Sequence, residues 1–73
     1  MMAGEDTRLE DARLDLLSIQ TRALAAVREY GRYLRDAEDA GLPEFAYFVR
    51  QLMEEDSARA AHCHALLRRL GAV

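Results

Sequence analysis

Asp56 and Arg59, followed by His62, Cys63 and His64, are the residues whose types and spacing suggest chemistry in this chain. Carboxylates and imidazoles are the donors that oxygen- and nitrogen-ligated metals such as iron take. Glu54 and Glu55 lie beside them in sequence, and Glu29 adds a carboxylate from the first half. The run His62-Cys63-His64 is not a one-metal cluster if it is helical, because side chains two positions apart point about 200° apart. Cys63 falls on an apolar stripe and reads as a small buried hydrophobe. Asp56 and Arg59 stand three apart, the spacing at which an acid and an arginine pair on one helix face. No serine, cysteine or lysine is spaced with a base as a nucleophile would require.

The elements that must position these residues follow from the few breaks in the chain. Among 73 residues the strong interior break is Gly41-Leu42-Pro43. Thr7 and Glu10 have the spacing of a capping box, so the first helix is expected over 7–40, after a disordered leader at 1–6. Gly41 suits a helix C-terminus and Pro43 the first turn of the next, giving a turn at 41–42 and a second helix over 43–70. Apolar residues recur in steps of three and four at Leu9, Ala12, Leu16, Ile19, Ala23, Val27, Tyr30, Leu34 and Ala37. The second stripe runs Phe45, Phe48, Val49, Leu52, Asp56, Arg59, Cys63, Leu66, Leu67 and Leu70. Nothing alternates with period two, so no strand is expected.

A turn this short makes the helices antiparallel. Folding about it pairs positions whose numbers sum to about 83, so Leu34 faces Val49, Val27 faces Asp56 and Leu16 faces Leu67. Gln20, Asp56, Arg59 and Cys63 then form a polar layer inside an apolar seam. Leu14, Leu17 and Leu24 widen the apolar face of helix one, and Tyr33 and Tyr47 lie off the inner faces as further interface candidates. A chain of this size buries only about 60% of its unfolded surface and is marginal alone. Its single cysteine rules out an internal disulfide. The expected fold is therefore all-α: an antiparallel two-helix hairpin that dimerises into a four-helix bundle.

Charge and composition exclude several function classes. The net charge is −3, every basic residue is arginine, and no basic stripe forms, which argues against nucleic-acid binding. No apolar run approaches the ~20 residues of a membrane span. The acidic start does not read as a secretory signal, and a cytoplasmic address is expected.

The stretch from Tyr33 through Gly41-Leu42-Pro43 to Phe45, Phe48, Leu52, Asp56 and Arg59 resembles the helical hairpin of ferritin-like and rubrerythrin-like proteins. It is most similar to the short single-hairpin type of encapsulated ferritins. The resemblance covers about Ala23 to Leu70 and implies both the hairpin and its dimerisation. It also implies where ligands would stand. The first-helix Glu of that family falls on Ala26, the second-helix Glu on Asp56, and the His of its Glu-x-x-His motif on Arg59, which stays protonated and cannot ligate. The resulting expectation is a non-enzymatic protein without a cofactor, acting through self-association and contact with other proteins, either further copies or a larger partner. The alternative is an iron-binding, ferroxidase-type protein with a rearranged site drawn from Asp56, Glu55, Glu29 and His62.

Overall fold

The computed structural model describes residues 3–71, with side chains from Thr7 onward. Two helices, α1 (Ala3–Asp39) and α2 (Pro43–Arg69), lie side by side in a rod of 62 × 15 × 15 Å. α1 begins at Ala3, upstream of the expected start at Thr7. Of the expected leader, Met1 and Met2 lie outside the described residues, while Ala3 to Asp6 have helical backbone. The other boundaries fall within one residue of expectation.

The connection is built by Gly41. Its φ of 68° is the left-handed conformation that glycine takes without a Cβ clash. The Leu42 amide donates to the Ala37 carbonyl at 2.9 Å and the Gly41 amide to the Glu38 carbonyl at 3.0 Å. This crossed pair is the Schellman closure, which satisfies the last carbonyls of α1. Pro43 follows at the start of α2, where an amide proton has no helical partner to lose. Leu42 precedes it with φ −112° and ψ 80°, away from the helical region that proline disfavours in its predecessor. At the far end Gly71 repeats the device, with φ 74° and its amide donating to Arg68 at 3.0 Å.

The seam between the helices follows a strict alternation of three- and four-residue steps. On α1 it runs through Arg13, Leu16, Gln20, Ala23, Val27, Tyr30, Leu34 and Ala37, each buried or half-buried. On α2 it runs through Ala46, Val49, Met53, Asp56, Ala60, Cys63, Leu67 and Leu70. This is the spacing of a coiled-coil seam. Arg13 Nη2 donates to the Leu70 carbonyl at 2.6 Å, which fixes the two residues at one level. That pair belongs to the register expected from the turn, with Gln20 level with Cys63 and Val27 with Asp56.

The composition of the seam departs from the expected stripes. Leu9, Ala12, Ile19, Phe45 and Phe48 were expected inside and are exposed. Arg13 and Ala46, which belong to neither expected stripe, stand in the seam, together with Gln20 of the expected polar layer and with Met53 and Ala60. The reason is steric. Two helices in contact share one narrow seam, and small residues let the backbones approach. Among the described residues the buried set is Ala23, Ala37, Ala46, Val49, Ala60, Cys63 and Leu67, so alanine dominates it. A buried methyl group contributes only about 0.8 kcal/mol, so this core stabilises the hairpin weakly.

Candidate functional site

Residues flanking the seam of an antiparallel pair divide onto two sides of the hairpin. The front side carries Ile19, Ala26 and Tyr33 from α1 and Phe45, Leu52, Arg59 and Leu66 from α2, with Phe48 at its edge. Tyr33 is held there by an edge-to-face contact with the seam residue Tyr30, at 5.9 Å between ring centroids. The back side carries Leu14, Leu17 and Leu24 from α1, but Arg50, Ser57 and His64 from α2. An ion pair at 2.9 Å between Glu38 and Arg50 closes the back side near the turn.

The front side is therefore apolar on both helices and the back side on one alone. Among the described residues ten large apolar ones are exposed, from 39% at Leu9 to 61% at Tyr47. The five residues expected to form an interface are among them. They do not make one patch, because Tyr33 is on the front while Leu14, Leu17, Leu24 and Tyr47 are on the back. Phe45, Phe48 and Ile19 belong to the front surface, and sequence reasoning had placed them inside. The signal that finds them is the strict three-four alternation, which assigns the seam to smaller neighbours.

The expected polar layer is only partly assembled. Gln20 Nε2 donates to the Ala60 carbonyl at 3.4 Å, and Cys63 is buried beside it. Asp56 sits in the seam with its side chain 14% exposed. Arg59 was expected in the same layer. It flanks the seam instead, with its side chain 53% exposed, and pairs with the Asp56 carboxylate from the front side. The carboxylate is thus desolvated on one face and neutralised on the other, and the guanidinium keeps its water. A pair of this kind stabilises little, about 0.2–0.5 kcal/mol.

The remaining candidates for metal ligation do not gather within one chain. Among the described residues, no three His, Cys, Asp or Glu side chains come together. Glu55 and His62 are exposed on the outer flank of α2, and Glu29 is exposed on α1, where it pairs with Arg32 at 3.8 Å. His64 is exposed on the back side, separated from His62 by the buried Cys63. At the three positions where the resemblance would put ligands stand a methyl group, an arginine, and a carboxylate already held by that arginine. This donor set does not fit a carboxylate–imidazole iron centre.

Among the described residues, no helix is long and apolar enough to cross a membrane. The depressions on the surface are shallow, such as the one of about 280 Å³ beside the turn lined by Glu38, Gly41, Leu42, Pro43, Ala46 and Arg50. Comparison with protein-family models, curated proteins and solved structures finds no match to this chain.

Proposed function

We propose that this chain is a self-associating, metal-independent helical hairpin of ferritin-like type, two copies of which close a four-helix bundle through their front sides. The observation that carries the reading is the apolar front contributed by both helices, over a seam whose buried residues are mostly alanine. The single hairpin exposes 5617 Å². A compact folded monomer of its mass exposes about 4,600 Å². The surplus of about 1,000 Å² is of the size that one partner covers in a standard interface, about 800 Å². Burial of Ile19, Tyr33, Phe45, Leu52 and Leu66 adds large side chains to a buried set that is small. Its role is then assembly, with no chemical step assigned to Asp56, Arg59 or the histidines.

Sedimentation velocity over a range of protein concentrations tests this. The expected result is a dimer, converted to monomer by Ile19→Glu or Tyr33→Glu and retained in Leu14→Glu and Leu24→Glu. A native chain that sediments as a monomer, or dimers disrupted only by the back-side variants, overturns it.

A further inference from the structure

Resting on that reading, we infer that the two hairpins pack with their turns at opposite ends, and that the first turns of α1 in one copy cover the turn of the other. The bond from Arg13 to the Leu70 carbonyl marks where α2 stops. α1 continues past it to Ala3, a projection of about 15 Å. Leu9 continues the seam spacing on this projection, has no α2 residue level with it, and is exposed. At the other end of the rod Leu42 and Phe45 are exposed beside the turn. Each end therefore holds an apolar surface that its own chain leaves uncovered.

The front side has a centre between the levels of Ala26 and Arg59, which lie about 3 Å apart along the rod. One heptad toward the turn stand Tyr33 and Leu52, and one heptad away stand Ile19 and Leu66. A two-fold axis across the rod at this level lays Tyr33 on the partner's Ile19 and Leu52 on the partner's Leu66. It also carries the partner's Leu9 about 26 Å from the axis, to the level of Leu42 and Pro43. With the turns at the same end, the two projections would stand on diagonally opposed helices and cover nothing.

The charges flanking the front side meet different partners in the two arrangements, which gives a means of telling them apart. With turns opposed, Arg22 lies near the level of the partner's Glu29, and Glu55 near that of the partner's His62. With turns together, Glu29 lies near the partner's Glu55, so two carboxylates meet, and Asp15 lies near the partner's Arg69. The opposed arrangement also brings the two Arg59 side chains to the axis, each already paired with its own Asp56. Asp15 falls near the partner's Asp36, an unfavourable contact at the rim that salt and solvent screen.

Two measurements test the arrangement. Nitroxide labels on Asp11→Cys, in a Cys63→Ala background, are expected about 45 Å apart by pulsed electron resonance. Turns at the same end would give a separation below about 20 Å, because diagonal helices of a bundle lie about 14 Å apart. The second measurement leaves Cys63 in place. Glu29→Arg is expected to raise the dimer dissociation constant about tenfold, with two rim pairs reversed, and Arg22→Glu added to it to restore affinity. A dimer with the short separation, or one tightened by Glu29→Arg, overturns the arrangement and leaves self-association standing. A native chain that is monomeric at every concentration overturns both.

Discussion

Replacing Asp56 by leucine should stabilise the protein, although it removes an ion pair. Asp56 occupies a seam position level with Val27, and its side chain is 14% exposed, so leucine there would be largely buried. Full burial of a leucine side chain contributes about 1.5–3 kcal/mol. The lost pair with Arg59 offsets about 0.2–0.5 kcal/mol. The liberated guanidinium is half exposed and returns to solvent without a desolvation penalty. The net expectation for Asp56→Leu is a gain of about 1–2 kcal/mol. With a urea dependence near 1 kcal/mol/M for a small domain, the unfolding midpoint should rise by about 1–2 M. The assay is helical circular dichroism against urea, at two protein concentrations so that association and folding are separated. An unchanged or lowered midpoint would refute the reasoning. It would mean that the carboxylate satisfies a positive group other than Arg59, either in a partner or in a bound cation, and would reopen the iron-binding reading that the donor set disfavours.

Three further outcomes follow from the same geometry. Leu67→Ala removes the largest fully buried side chain and should destabilise by about 2–5 kcal/mol, enough to abolish helical signal, whereas exposed Leu24→Ala should stay within about 0.5 kcal/mol. Gly41→Ala should cost about 1–2 kcal/mol and Gly41→Asn less, because φ is positive there while a Cβ meets nothing within 4 Å; thermal melts of the two variants separate conformational strain from crowding. Arg13→Ala should cost about 1 kcal/mol, since Arg13 caps the C-terminal end of α2 through the Leu70 carbonyl, and the loss should appear as faster amide exchange in the last turn of α2.

How far the sequence reveals this molecule depends on which property is asked of it. Helix limits near the turn are legible because Gly41 and Pro43 act through backbone geometry alone, whatever surrounds them. The register is legible for the same reason, since a three-residue connection leaves no slack and Arg13 meets Leu70 where the turn requires. The content of the seam is less legible. Hydrophobicity ranks Phe45, Phe48 and Ile19 above Ala46, Ala60 and Gln20, yet a pair of helices has no interior wide enough for the larger set. Their positions follow from spacing, which puts them on the flank of the seam, where they are exposed. Arg59 misleads in a similar way. It stands three residues from a seam aspartate, but one position of rotation around the helix moves it from the seam to the flank.

The uncovered start of α1 also has a dynamic consequence. From Arg8 to Ala12 the helix runs beyond the level where α2 ends, and a helical segment that short has little stability in water by itself. Its amide protons in a lone hairpin should exchange within the range of frayed ends, while those level with Leu67 wait for the whole hairpin to open. Once a second molecule lies across it, the same segment gains a packed neighbour and its exchange slows. In the proposed dimer, the protection of these amide protons would report how fully the molecules are associated.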